Sequence, residues 1–239
     1  MEITDLNYAD STRYARKFAD ENGYHLVQDT ASPGYNKIPD WITLGYTMMV
    51  DEAVSQMEKS GGGYPTHVVI QAGVGSAAGA VAGYFALREK DELPKIIVVE
   101  PMDVACFYES IEKGRIVNIG GNPKTDMAGL NCGEPNISIF GILENYGAFF
   151  ARCTDQVTWN GMRLLADPIN GDAKVVSGES GAVGAGLINE ICSRDDCRSY
   201  REMLGLDDSS SVLVFSTEGD TDKENYKKIV GSDPALGAI

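Results

Sequence analysis

The residues best placed to do chemistry lie in QAGVGSAAGA, where Gly73-Val74-Gly75-Ser76 joins the apolar run HVVIQ to a run of small residues. A strand, a glycine turn and a helix in that order leave backbone N–H groups unpaired at the positive end of a helix dipole. An anion binds there without a lysine. Glycines let the backbone approach such an anion, and the Ser76 hydroxyl is expected to add a donor. A second candidate is Ser216-Thr217-Glu218-Gly219-Asp220, directly after the apolar run VLVFS. A hydroxyl at a strand C-terminus points into the crevice where open α/β sheets bind ligands. The third is Asp29, between a short apolar stretch and a Gly/Pro loop, a position where functional side chains tend to sit.

Three phosphate readings compete for residues 73–76. A Walker loop fails, because GxxxxGK[ST] needs a lysine that is absent here. A dinucleotide site has a βαβ unit in its favour, with Glu100 ending the second strand where a ribose-binding acid belongs. Its spacing, Gly-x-Gly-x-x-x-Gly, is one residue too long. The third is a monophosphate cradle of the kind used for pyridoxal phosphate. In that case Thr217 would hydrogen-bond the pyridine nitrogen, and a neutral hydroxyl would not force that nitrogen to be protonated. The ring is then a weaker electron sink, which suits elimination more than racemisation. Plain structural readings stand beside these: a ligand-free strand-to-helix turn at 73–76, a helix N-cap at 216–222, and an Asx-turn at Asp29.

Composition narrows the field. Among 239 residues, 20 Lys and Arg face 35 Asp and Glu, a net charge of −15. That acidity argues against a nucleic-acid partner, which needs a basic surface. A hydrophobic share of 43% is enough for a sizeable core and rules out wholesale disorder. No apolar run reaches the ~18–20 residues of a membrane span, and the polar opening MEITDLNYAD is no secretory signal. A soluble, cytoplasmic protein with no membrane partner is expected. Two histidines and five scattered cysteines give no metal site and no disulfide scaffold. Whether Cys106 and Cys132 approach each other is left open.

The elements that must position these groups follow from periodicity and punctuation. Helices are expected at 8–23 and 41–59, the second broken by three glycines. HVVIQ at 67–71, a helix at 77–89 and KIIVVE at 95–100 form a βαβ unit with a buried parallel pair, since both strands are almost continuously apolar. YHLVQ at 24–28 reads as a short strand. Further helices are expected at 103–113, 138–150, around 159–165, and at 181–193, where Gly and Ala suggest close helix packing. Residues 120–136 read as a long loop and VLVFS at 212–216 as the last strand. The fold class is α/β: an open, mostly parallel twisted sheet with helices on both faces.

Several of these segments recur in one order: NYADSTRYARKFADENG, VQDTASPGYNKIPDWITLGY, THVVIQAGVGSAAGA, IIVVEPMDVACFYESI, MAGLNCGEPN, VVSGESGAVGAG and VLVFSTEGDTD. Together they resemble the C-terminal part of the diaminopropionate ammonia-lyases, pyridoxal-phosphate enzymes of the fold type II (tryptophan-synthase-β) superfamily. The resemblance runs from Asn7 to Val230. It implies that Gly73, Val74, Gly75 and Ser76 form the phosphate cradle, that Thr217 faces the pyridine nitrogen, and that Asp29 acts in acid–base chemistry on an amino-acid substrate.

The implied reaction is α,β-elimination of 2,3-diaminopropionate to pyruvate and ammonia; serine or threonine dehydration is the nearest alternative, and a non-catalytic α/β module that holds a phosphate-bearing ligand is the alternative from another class. The superfamily's Schiff-base lysine lies upstream of everything seen here, and no lysine in this chain, Lys17, Lys37 and Lys59 included, sits in a comparable motif. The resemblance therefore implies a C-terminal fragment, inactive alone, in which residues 1–30 are a remnant of the smaller domain and 31–239 an incomplete large cofactor-binding domain. An exposed sheet edge would favour a homodimer.

Overall fold

A computed structural model describes residues 3–88, 93–147 and 149–231. Helix α1 (Tyr8–Asn22) starts where the Asn7 side chain accepts from the Asp10 amide and stops at Gly23, whose φ of 69° only glycine adopts easily. Helix α2 (Lys37–Lys59) begins four residues earlier than its apolar spacing predicts, because Pro39 falls in the first turn, where a missing N–H costs nothing. The segment 24–28 is not a strand. Its Val27 is 71% exposed, and the Tyr35 hydroxyl meets its polar backbone, accepting from the Gln28 amide and donating to the Leu26 carbonyl.

The βαβ unit is present: β1 (His67–Gln71), α3 (Ser76–Ala86) and β2 (Lys95–Pro101), with β1 and β2 paired in parallel from His67↔Lys95 to Gln71↔Val99. Helix α3 ends at Ala86, and Glu89 lies outside the described residues. Then follow α4 (Cys106–Glu112), α5 (Ile137–Tyr146) and β3 (Phe149–Cys153). Strand β3 is absent from the sequence reading, which carried the helix on to Phe150. The remaining elements are α6 (Asp155–Ala166), α7 (Glu179–Ser193), α8 (Arg198–Leu204), β4 (Val212–Val214) and α9 (Lys223–Val230).

The four strands form one parallel sheet in the order β3-β2-β1-β4. Alternation explains the uninterrupted apolar runs. Val68, Ile70, Ile96 and Val98 face Val50, Val81, Phe85, Ile139 and Leu143 of α2, α3 and α5. Val69, Ile97 and Val99 face Val183 and Ile191 of α7 and Leu204 of α8. Helices thus cover both faces. The small-residue stretch of α7 lies hard against α6: a Cβ on Gly186 would stand 2.0 Å from the Val157 carbonyl oxygen. Strand β1 sends its crossover to β2 on one side and takes β4 on the other. The chain therefore reverses direction between β1 and β4, and at such a switch point open α/β sheets leave a crevice beyond the strand C-termini.

Candidate functional site

A cleft of about 730 Å³ opens at that switch point, and Asp29, Gly73, Val74, Gly75, Ser76 and Thr217 all line it. Its floor is the turn from β1 into α3. Gly75 caps the helix with φ +91°, and a Cβ there would stand 2.3 Å from Cζ of buried Phe107. A Cβ on Gly73 would stand 3.1 Å from Cys132 Sγ. The amides of Gly73, Gly75, Ser76 and Ala77 donate to no acceptor among the described residues, which leaves four donors at the positive end of an 11-residue helix.

Ser76 departs from expectation. Its hydroxyl donates to the Asp29 carbonyl (2.9 Å) and accepts from Asn136 Nδ2 (3.1 Å), so it ties two loops together and is not free to donate to an anion. Its backbone amide is what it offers.

The second wall carries Asp29. Tyr8 donates to Asp29 Oδ1 at 3.1 Å, and Thr30 Oγ1 donates to the same oxygen at 3.2 Å. Oδ2 has no such partner among the described residues. Burial, above all, pushes the Tyr8 phenol up to about 12, with the Asp29 carboxylate adding to the rise. Tyr8 therefore stays a donor at neutral pH. Behind Asp29 lies Asn136, fully buried. Its Oδ1 accepts from the Ala31 amide (3.2 Å) and the Ser138 amide (3.0 Å), and its Nδ2 donates to the Asp29 carbonyl (3.0 Å). Asn136 thus fixes the Asp29 loop, the cradle and the start of α5 at once. Sequence reasoning missed this role, although an Asn directly before a helix is an N-cap signal.

The third wall is the loop after β4. Gln71, 4% exposed at the end of β1, donates through Nε2 to the Phe215 carbonyl (3.1 Å) and to Thr217 Oγ1 (2.6 Å). Ser216 donates to Ser177 Oγ (2.8 Å), and Glu218 Oε2 accepts from the Ser180 amide (2.6 Å), closing the N-terminus of α7. Asp222 caps α9, accepting from the Glu224 and Asn225 amides. The N-cap reading therefore holds for Asp222, while Thr217 faces the cleft. Gln71 and Tyr8 escaped the sequence reading, because nothing in local spacing reveals partners 146 and 21 residues away.

Glu100 does not serve a ribose. It is 1% exposed, and its two oxygens accept from the Phe107 and Tyr108 amides at 2.8 and 2.7 Å. Burial raises it to about 7 despite those bonds. Burial likewise raises Cys106 well above its ordinary range and Cys132 to about 12; both are free thiols. No lysine, arginine or histidine lines the described cleft. Among the described residues no group of three or more His, Cys, Asp or Glu is placed to hold a metal, and no helix is long and apolar enough to cross a membrane.

Comparison with known proteins identifies the family and the fold. The sequence model of the family described as pyridoxal-phosphate dependent enzyme matches residues 2–202. Diaminopropionate ammonia-lyase of Escherichia coli K12 is 46% identical over 228 residues, which is 95% of this chain and 57% of that protein. A crystal structure of the holo form of the Escherichia coli enzyme superposes with a TM-score of 0.88 at 45% identity, covering 95% of this chain and 56% of that one. The processed form of threonine deaminase isoform 2 from Solanum lycopersicum shares the fold, with a TM-score of 0.69 at 17% identity over 92% of this chain and 57% of that one. The chain spans somewhat more than half the length of the curated relatives it matches. It belongs to the pyridoxal-phosphate dependent enzyme family, with the open parallel α/β sheet of fold type II.

Proposed function

We propose that this member of the pyridoxal-phosphate dependent enzyme family works, as part of a longer protein, in the α,β-elimination of 2,3-diaminopropionate. With one water the products are pyruvate and two ammonia. The observation that carries the reading is the convergence, in one cleft, of four unclaimed amides at a helix N-terminus, a carboxylate and a strand-end hydroxyl. The 46% identity to a diaminopropionate ammonia-lyase supports the substrate.

The residues fit the cofactor. The positive φ of Gly75 and the collision its Cβ would make with Phe107 fix this turn as glycine, and the amides of Gly73, Gly75, Ser76 and Ala77 would hold the oxygens of a phosphate. Val74 fixes the turn, accepting from the Asn136 amide at 2.8 Å. Thr217 would meet the pyridine nitrogen. When bound, pyridoxal phosphate supplies the electron sink that acidifies an amino acid's α-hydrogen and lets a β substituent leave. Asp29 handles the proton at Oδ2, while Tyr8 and Thr30 hold Oδ1 and so fix the carboxylate plane.

Residues 1–30 are assigned to the smaller domain of the longer protein and 31–239 to the larger one. By itself the chain is expected not to catalyse elimination, since no lysine lines the described cleft. Five free thiols fit a cytoplasmic setting. Strand β3, paired only with β2 in the described sheet, offers an edge that would favour a homodimer.

Two measurements test the reading. Pyridoxal phosphate added to the purified chain, followed by borohydride, should leave the intact mass unchanged while titration shows reversible binding. A stoichiometric adduct on one lysine would overturn the assignment of the attaching lysine to another part of the protein. In the longer protein, Asp29→Asn should slow pyruvate release at least 100-fold, an order typical of a lost acid–base group, with little loss of cofactor. Equal loss of both would make Asp29 a turn residue only.

A further inference from the structure

We propose that Gln71 is a positioning residue that fixes which way the Thr217 hydroxyl proton points, so that Thr217 presents a donor to the cleft. The inference rests on the cofactor reading above and goes beyond it by assigning a role to Gln71, which lines the cleft and is argued to act through its bond to Thr217.

The polarity follows from the geometry. A backbone carbonyl only accepts, so the Gln71 atom 3.1 Å from the Phe215 oxygen is the amide nitrogen. The same nitrogen lies 2.6 Å from Thr217 Oγ1. Its two protons are divided between these acceptors, so Thr217 accepts from Gln71. A hydroxyl has a single proton, and that of Thr217 is left to point elsewhere. Among the described residues no acceptor takes it, and the cleft is the open side.

A rotated amide is excluded, since it would set Gln71 Oε1 against the Phe215 oxygen. The observed orientation leaves Oε1 buried without a hydrogen-bond partner, a penalty the native arrangement accepts. Gln71 is itself held rigidly, as the last residue of β1 paired with Val99. The device spans the switch point: a residue at the end of one central strand orients a hydroxyl at the end of its neighbour. The donor so oriented suits an unprotonated ring nitrogen. With the opposite polarity, Thr217 would offer a lone pair and favour a protonated ring.

The test is a double-mutant cycle on the affinity of the whole chain for pyridoxal phosphate, read by absorbance titration, with Gln71→Met, Thr217→Val and the pair. Each single change is expected to weaken binding about three- to tenfold, the range of one neutral hydrogen bond. The double variant should bind no more weakly than Thr217→Val alone, because Gln71 acts only through Thr217. Additive losses, or no loss in Gln71→Met, would overturn the proposal. Gln71→Leu also removes the amino group without adding a charge and should lose the same factor if Gln71→Met does not fold.

A second readout needs neither cofactor nor a Gln71 variant. In wild-type protein one Gln71 side-chain amide proton should resonate downfield, and Thr217→Val should move it upfield. An unmoved resonance would overturn the proposal. If that shift appears while the wild-type chain fails to bind pyridoxal phosphate, the oriented hydroxyl stands and the cofactor reading falls.

Discussion

Replacing Gly75 by alanine should destabilise the protein by roughly 2–5 kcal/mol and disable the cradle. Two terms make up the figure. At φ +91° an L-residue carries a backbone penalty of about 1–2 kcal/mol. The new Cβ would also stand 2.3 and 2.4 Å from Cζ and Cε2 of Phe107, far inside van der Waals contact. Overpacking of this kind costs roughly 1–3 kcal/mol. Phe107 cannot yield cheaply, being fully buried with its amide held by Glu100 Oε1 at 2.8 Å. Gly23→Ala separates the terms, since φ there is also positive (+69°) but no atom lies within 4 Å of its Cβ. Urea unfolding should place Gly23→Ala about 1–2 kcal/mol below wild type and Gly75→Ala clearly lower. Equal losses would refute the clash. Gly75→Asp drives a charged side chain against buried Phe107 and so distorts the turn that presents the amides; it should abolish pyridoxal-phosphate binding in a titration, and retained affinity would remove the cradle assignment.

Asn136→Ala removes all four side-chain bonds joining the Asp29 loop, the cradle and α5, and should cost roughly 3 kcal/mol because the groups left behind are buried. Hydrogen exchange checks it: the Ala31 amide should lose protection, and unchanged protection would count against the hub. Glu100→Gln tests the buried carboxyl through pH. Burial raises Glu100 from its ordinary 4.5 to about 7, so the folded state binds the proton more tightly. Its contribution is fully present below pH 4.5 and is lost as pH rises through 7, roughly 3 kcal/mol in all. The stability of wild type relative to Glu100→Gln should fall between pH 5 and 7 and level off above 8; a flat difference would contradict the raised pKa.

What was legible in the sequence was local. β1, the glycine turn, α3 and β2 show themselves because buried parallel strands are continuously apolar and the turn between them demands glycine. Segment 24–28 misled for the opposite reason: its β-forming residues suit a strand, but a tyrosine side chain, not a neighbouring strand, meets its backbone. FFARC was lost because it follows α5 after only two residues, and its half-buried aromatics continue the helical apolar pattern. The hydroxyl of Ser76 suited an anion by position alone. Only the tertiary approach of the Asp29 loop shows where its proton goes. Strand order is invisible to periodicity, so Thr217 could be placed at a strand end but its contact with Gln71 could not.

Charge draws the clearest line between what composition decides and what geometry decides. A net charge of −15 sets the long-range field and disfavours polyanions, whose binding needs many cationic side chains acting over a Debye length of about 10 Å. A single phosphate is a different problem. With no lysine, arginine or histidine lining the described cleft, attraction must come from oriented amides and the α3 dipole, which act at hydrogen-bond distance. The acidic residues are meanwhile engaged or held off: Glu218 accepts from the Ser180 amide, Glu100 is buried behind Phe107, and Oδ1 of Asp29 is covered by two hydroxyls. Tyr8 and Cys132, raised to about 12, add no negative charge at neutral pH. An acidic protein thus keeps an anion site by removing side-chain charge from the cradle and leaving the backbone to do the binding.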